Sequence, residues 1–259
     1  MNNYKITFLF LFQLFSVALF SQTDKMLLPL DGETREAYIQ KATQLRKDEN
    51  YAAAIRQLDT ILLHKPNDAS ILLFKGDMLL QSKLYKNAVA TYKLLLPLNF
   101  ETTITQINLS YALFMNHQPV KALGFAKGAW EQNKTNTNAV VNYFNAQLWN
   151  IKTKSAADFL KQQQQLLTPA QLLVLKARLF TTSGNYTAGL NFYDSLVKTY
   201  PDKYYVQEYA EVLLGKKELK KSQQTMAAEE KLFSASEYDA YKQKLKAAKT
   251  QNAGTEFVY

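Results

Sequence analysis

The chain has 259 residues, of which 47% are apolar and 20% are charged, a composition typical of a folded domain that is long enough to bury a sizeable core. It contains no cysteine and two histidines, which excludes disulfides, thiolate zinc sites and a cysteine nucleophile and argues against a multi-histidine metal site. Eight glycines, six prolines and no extended alternation of Val, Ile and Thr favour an all-α protein.

The net charge of +9 is unevenly distributed along the chain. Residues 22–68 carry seven basic and eight acidic side chains, whereas residues 103–200 carry nine basic and three acidic side chains, a local net charge of +6. A basic surface attracts acidic protein segments, anionic lipid or polysaccharide, and nucleic acid alike. A contribution to solubility alone is the alternative interpretation of this excess.

The first 21 residues have the pattern of a secretory signal peptide. Lys5 precedes an apolar run, Ile6–Phe20, that is short for a membrane span, and Ser21 is a suitable small residue at a cleavage point. An uncleaved membrane anchor is the rival interpretation. The ending Phe20-Ser21-Gln22 resembles export signals common in Bacteroidetes, which implies a periplasmic or extracellular mature protein, or one associated with the outer membrane.

Small residues recur downstream at a nearly constant spacing. Four alanines lie 34 residues apart, and two further small residues follow at steps of 33. Small residues at such a period indicate a solenoid of helical repeats, in which each repeat packs only on its neighbours. The six positions are Ala54, Ala88, Ala122, Ala156, Gly189 and Ser222.

The clearest repeat lies around Leu72–Ala90 and predicts two amphipathic helices joined by a tight turn. Gly76 in the middle of the first helix costs about 1 kcal/mol relative to alanine, so we expect it to allow a close helix approach. Ala88 gives the matching gap, and Tyr92 is predicted to fill the groove beside it. The predicted domains are a signal peptide (1–21), a linker (22–34), a repeat array (35–230), a capping helix (231–250) and a disordered or strand-like tail (251–259).

At these residues the chain resembles the tetratricopeptide repeat family. The second repeat carries four residues of the family pattern, and two other repeats also carry its closing proline. The resemblance implies an all-α, right-handed superhelical solenoid of about six antiparallel helix pairs, in which the first helices line a concave groove that binds peptides or partner helices. The matching residues are Gly76, Leu79, Ala88 and Tyr92, with Pro66 and Pro201.

Helical phase projects a set of candidate partner-binding residues onto that groove. Aromatic and arginine side chains dominate interface energetics, and asparagine can hydrogen-bond the backbone of an extended peptide. Packing between neighbouring repeats is the alternative role for each of these side chains. The candidates are Asn108, Tyr111, Phe114, Asn142, Asn145, Trp149 and Arg178.

No motif in the chain predicts catalysis, a cofactor or a metal. A G-x-S-x-G nucleophile elbow, a phosphate-binding G-x-x-x-x-G-K-[ST] loop and an H-E-x-x-H helix are all absent from the sequence. We therefore predict a non-enzymatic protein-interaction scaffold of the bacterial cell envelope that binds a protein or peptide, with no nucleic-acid partner.

Two other hypotheses remain open. The array could be the periplasmic arm of an outer-membrane β-barrel-type protein or complex, of which this chain is a shorter relative. Alternatively, the basic middle of the chain could bind an anionic envelope polymer or lipid, with an affinity that falls steeply with salt. The lysines that would carry such binding are Lys121, Lys127, Lys134, Lys152, Lys154 and Lys161.

Overall fold

The computed structural model describes residue 28 and residues 30–250, which form thirteen α-helices and no β-strand. The predicted signal peptide and the predicted tail lie outside the described residues. Short 3₁₀ turns follow α4, α8 and α12. The helices are α1 (Gly32–Lys47), α2 (Tyr51–His64), α3 (Ala69–Gln81), α4 (Tyr85–Leu95), α5 (Thr102–Met115), α6 (Pro119–Gln132), α7 (Thr137–Trp149), α8 (Thr153–Gln163), α9 (Pro169–Thr182), α10 (Tyr186–Thr199), α11 (Lys203–Gly215), α12 (Leu219–Ala228) and α13 (Ala235–Thr250).

The helices are organised in pairs, each with a first helix (A helix: α1, α3, α5, α7, α9, α11) and a second helix (B helix: α2, α4, α6, α8, α10, α12). A helices pack against the B helices that follow them, as α1 does with α2, α3 with α4 and α9 with α10. The chain divides into two compact units, Met1–Ala112 (unit 1) and Leu113–Tyr259 (unit 2). This all-α architecture of repeated helix pairs confirms the predicted fold class.

Each A helix is followed by a residue in the left-handed conformation, at φ between 55° and 87°. Successive positions are 34 or 33 residues apart, the same period as the small residues. After α3, the Leu84 N–H donates to the Leu79 carbonyl at 2.9 Å, which closes the helix as a Schellman motif. The turn is therefore fixed by backbone geometry, with glycine at one of the six positions. They are Glu49, Lys83, His117, Ile151, Gly184 and Lys217.

The periodic small residues are buried where helices approach each other. A Cβ on Gly76 would lie 2.6 Å from Tyr92 Cε1, so the tyrosine ring occupies the space that any side chain would need. A Cβ on Gly189 would lie 2.5 Å from Thr181 Cγ2 and 3.0 Å from the Thr181 backbone nitrogen. At Gly76 the neighbouring atoms are therefore those of the Tyr92 ring, whereas at Gly189 backbone atoms approach closely as well.

Capping residues set the helix ends. Asp31 Oδ1 accepts a hydrogen bond from the Thr34 N–H at 2.8 Å, so α1 begins at Gly32, inside the segment predicted as a linker. The last helix begins at Ala235, four residues later than predicted. These differences arise because the caps, not the apolar period, determine where a helix starts.

Each unit has its own apolar core. In unit 1, Leu58, Ile61 and Met78 are buried between α2 and its neighbours. The core of unit 2 is built around large side chains, among them Phe144 and Tyr193. A second cluster of unit 2 includes buried residues of α11, α12 and α13, and the lysines of α13 stay exposed, an arrangement suited to a terminal cap.

Candidate interaction face

In unit 2 a polar network links three successive A helices, α7, α9 and α11. Arg178 donates through Nε and Nη2 to the two carboxylate oxygens of Glu208 at 2.7 and 2.6 Å. Its Nη1 donates to Asn145 Oδ1 at 3.1 Å, and the Tyr193 hydroxyl donates to Glu208 at 2.5 Å. The side chains of Arg178 and Glu208 are 28% and 27% exposed. The network is mostly withdrawn from water and fixes the three helices relative to one another.

The protonation of this network follows from its contacts. Burial alone would raise the pKa of Glu208, but the hydrogen bonds and charge of Arg178, with the bond from Tyr193, bring it below its ordinary value. Burial and the Glu208 charge raise the pKa of the Tyr193 hydroxyl. Near neutral pH the network is therefore an ion pair with a neutral tyrosine donor.

One face of α7 carries three of the predicted binding residues, Asn142, Asn145 and Trp149, because they are spaced by three and four residues. Trp149 stacks on Phe114, with ring centroids 4.0 Å apart and planes at 7°. Asn142 is 8% exposed, and its Oδ1 has no hydrogen-bond partner among the described residues. The Asn145 Nδ2 also forms no hydrogen bond in that part of the chain. The face, here called the α7 face, thus offers an amide donor beside a fixed aromatic pair, while the Asn142 acceptor is buried.

Unit 1 has a polar network of its own on its A helices. Asp77 Oδ1 accepts from the Tyr92 hydroxyl at 2.7 Å and from Asn108 Nδ2 at 3.0 Å. Burial nevertheless raises the pKa of Asp77, against these bonds and the charge of Arg46. Tyr111 lies on the same helix as Asn108 and is 42% exposed.

The structure thus separates the predicted binding residues into distinct roles. Arg178 has its donors engaged by Glu208 and Asn145, so it supports the A helices from within. Tyr111 is accessible in unit 1, and Asn108 is committed to its intramolecular bond. Partner binding by these residues stays a prediction.

Two members of the unit 2 network, Glu208 and Tyr193, were not identified from the sequence. A signal existed in the spacing, because Tyr92 follows Asp77 by 15 residues and Tyr193 follows Arg178 by the same number. An internal comparison of the repeats for polar residues at this interval would have found the second network.

Six lysines of the basic middle region lie on other elements than α7. The six lysines predicted for anion binding are exposed and belong to α6, α8 or the turns beside them. One of them, Lys127, pairs with Glu131 at 3.2 Å. At the start of α8 a depression of about 460 Å³ is lined by Lys152, Lys154, Asp158 and their neighbours. These exposed lysines therefore belong to the B helices and their turns, whereas the α7 face belongs to an A helix.

Within residues 30–250, no cluster of three or more His, Asp or Glu side chains could hold a metal ion. Across that same described stretch, none of the helices has the length and apolar character needed to span a membrane.

Comparisons with known proteins identify the architecture. Residues 39–99 match the family model described as tetratricopeptide repeat. The fold is similar to a tetratricopeptide repeat protein from Parabacteroides merdae (TM-score 0.60, 12% identity, covering 86% of this chain and 95% of that one). It is also similar to a thermophilic tetratricopeptide repeat protein of Thermus thermophilus (0.56, 19%, 70% and 99%) and to MamA of Desulfovibrio magneticus from residue 41 (0.56, 14%, 67% and 100%).

No curated protein sequence matches the chain. At these low identities the solved structures show the fold alone. The sequence match and the fold together support a tetratricopeptide repeat array.

Proposed function

We propose that the chain is a non-enzymatic interaction scaffold that binds a segment of a partner protein on the A helices, principally at the α7 face of unit 2. The repeat architecture supports this class of function, because stacked helix pairs present an extended surface to a partner. The finer assignment comes from the side chains of α7.

The observation that carries the proposal is the Asn145 amide donor, which has no partner among the described residues, beside a fixed aromatic stack. Asn145 Nδ2 can donate to a backbone carbonyl of an extended peptide, whereas the buried Asn142 Oδ1 is withdrawn from contact with a partner. The Trp149–Phe114 pair gives the segment an apolar surface that is already ordered. Because Arg178 holds Asn145 and Phe114 holds Trp149, binding orders few side chains and loses little entropy.

A crosslinking pull-down with the full chain tests the proposal. The chain offers a matched pair of variants, because it has two tryptophans, Trp149 on the α7 face and Trp130 on α6, where it stacks on Tyr143 at 5.4 Å. We expect Trp149→Ala to reduce capture of a discrete protein segment at least about tenfold, whereas Trp130→Ala retains it. Circular dichroism checks that both variants keep their helices.

Equal capture by parent and Trp149→Ala would place the binding surface elsewhere. Binding in unit 1 through the exposed Tyr111 is tested separately. Tyr111→Ala is compared with Tyr200→Ala, because these tyrosines are 42% and 37% exposed and Tyr200 lies at the end of a B helix. Loss with Tyr111→Ala alone would assign the binding to unit 1.

We also propose that the protein is exported and acts in the cell envelope. The support is the pattern of residues 1–21, a charged start followed by a short apolar run. Mass spectrometry of the mature protein is expected to find an N-terminus at Gln22, and fractionation is expected to find it outside the cytoplasm. An intact N-terminus in the cytoplasmic fraction would exclude this role.

A further inference from the structure

Two aliphatic side chains of unit 2 are highly exposed, and their backbones lie close together. Val120 and Ile151 are 76% and 78% exposed. Asn150 Nδ2 donates to the Pro119 carbonyl at 2.9 Å, which joins the turn before α8 to the start of α6. Val120 and Ile151 are the residues that follow these two, so the hydrogen bond brings the two apolar positions to the same edge of the unit.

Ile151 also adopts a backbone conformation that its side chain disfavours. Its φ is 55°, the left-handed region that β-branched residues rarely enter. The equivalent turn positions in the other repeats hold glutamate, lysine, histidine or glycine. An isoleucine side chain that is 78% exposed buries little apolar surface in the free chain, so packing offsets little of this backbone strain. Strain of this kind is characteristic of functional positions.

Lysines surround the two aliphatic residues. Lys121, Lys152 and Lys154 are exposed, and Lys121 donates to the neutral oxygen of Gln118 at 3.0 Å. Neither Lys152 nor Lys154 forms an ion pair in the described part of the chain. Ile151, Lys152 and Lys154 line the depression at the start of α8, and the acidic side chain in its lining is Asp158. The positive charge of this edge is therefore available to a partner.

We propose that this edge, the turn patch of Val120, Lys121, Ile151, Lys152 and Lys154, docks on an anionic lipid surface. Apolar side chains ringed by lysines suit the headgroup boundary, where the aliphatic groups enter the acyl region and the ammonium groups contact phosphates. A soluble anionic polymer would use the lysines but would give no environment for Val120 and Ile151. The combination therefore favours a lipid surface. The proposal is independent of the α7 face.

The absence of cysteine permits a local test in the full chain. We would attach an environment-sensitive fluorophore to Ile151→Cys and, as a matched control, to Leu63→Cys, which replaces a residue that is 66% exposed on α2. Vesicles of equal parts phosphatidylglycerol and phosphatidylcholine are expected to shift emission at position 151 to the blue and leave position 63 unchanged. Because the readout is local, attachment through another segment of the chain does not imitate it.

Charge variants provide the second measurement. Each lysine near an anionic surface contributes roughly a factor of five, so the triple variant Lys121→Gln, Lys152→Gln, Lys154→Gln is expected to weaken vesicle association through this edge about a hundredfold. The control triple, Lys127→Gln, Lys134→Gln, Lys161→Gln, removes the same charge from the same region of the chain and should have a much smaller effect. Association is read from the emission at position 151.

Two results would overturn the proposal. One is unchanged emission at position 151 while the protein sediments with anionic vesicles. The other is an emission shift at position 151 that Val120→Ser leaves unchanged and the lysine triple abolishes, which would make the edge a general anion site for polymers such as dextran sulfate. Tyr111→Ala and Trp149→Ala should leave the vesicle signal as it is, which separates this proposal from the proposed function.

Discussion

The polar networks of the two units use the same three positions of the repeat with opposite charge placement. The unit 1 residues recur in unit 2 about 100 positions later. Arg178 stands in the place of Asp77, Tyr193 in that of Tyr92, and Glu208 in that of Asn108. In both, a tyrosine from a B helix donates to a carboxylate on an A helix. In unit 1 the carboxylate is on the first A helix, whereas in unit 2 it is on the following one.

The difference shows what the tyrosine can and cannot do. Its hydroxyl satisfies one oxygen of a partly buried carboxylate but does not neutralise the charge. Without a hydrogen-bonded cation, Asp77 has a raised pKa, whereas Glu208, paired with Arg178, has a lowered one. The same arrangement thus holds a carboxylate whose charged form is disfavoured by burial in unit 1, and a stabilised ion pair in unit 2.

The largest effect is expected from breaking the unit 2 pair. Glu208→Gln leaves the Arg178 charge partly buried without a counter-ion, so it should lower the free energy of unfolding by about 3 kcal/mol in urea denaturation. The matched control is Glu211→Gln on the same helix, which removes a more exposed partner of Lys244 and should cost less than about 1 kcal/mol. Equal losses at both positions would show that the network adds nothing beyond a surface pair.

Glycine-to-alanine substitutions test how tightly the helices pack in each of the two units. Gly189→Ala and Gly76→Ala should each cost about 2 kcal/mol through overpacking, with the larger loss at Gly189 because its new Cβ meets backbone as well as side chain. Adding Tyr92→Leu to Gly76→Ala should recover part of that loss. Gly124→Ala, with open space around it, should instead stabilise α6 by about 0.5 kcal/mol or more. Thermal denaturation of the variants measures these changes, and a loss at Gly124 like that at Gly76 would contradict the packing assignment.

Relief of the strained turn should give a gain of intermediate size. Ile151→Gly removes a Cβ from the left-handed region and should raise stability by about 1 kcal/mol in urea denaturation. His117→Gly is the control in the same conformation without β-branching, and its gain should be smaller. A loss of stability in Ile151→Gly would mean that the isoleucine packs favourably in the free chain.

The smallest effect concerns the pH dependence of unit 1. Because the folded pKa of Asp77 is above its unfolded value of 3.8, its contribution to stability declines as pH rises from that value through the folded pKa. Glu208 has the opposite sign, since its folded pKa is below 4.5 and its contribution is lost as pH falls through the folded value. Asp77→Asn should therefore remove the loss of stability that Asp77 causes as pH rises. Hydrogen exchange of α3 at several pH values measures it, and an unchanged profile would contradict the raised pKa.

Much of the fold could be predicted from the sequence because the repeat places small residues at a constant interval. Gly76 and Tyr92 were paired by their positions, and Asn145 and Arg178, 33 residues apart, were projected onto one face and are hydrogen-bonded. The left-handed turn residues could not be predicted individually, because only one of the six, Gly184, is a glycine.

The partner of Arg178 was missed because candidates were projected only at the repeat period. Glu208 lies 30 residues further on, a diagonal neighbour off the repeat period, so in-phase projection missed it. The stack of Phe114 on Trp149, 35 residues apart, likewise depends on rotamers that periodicity does not specify.

The most direct test of the scaffold function is hydrogen exchange of the full chain with and without the partner segment captured by crosslinking. We predict slower exchange in α7 (Thr137–Trp149) and no change in the neighbouring B helix α6 (Pro119–Gln132). The Trp149→Ala variant should lose that protection, and Trp130→Ala should keep it. Protection confined to α6 and α8 would contradict binding at the α7 face and assign the partner to the exposed lysines of these two helices.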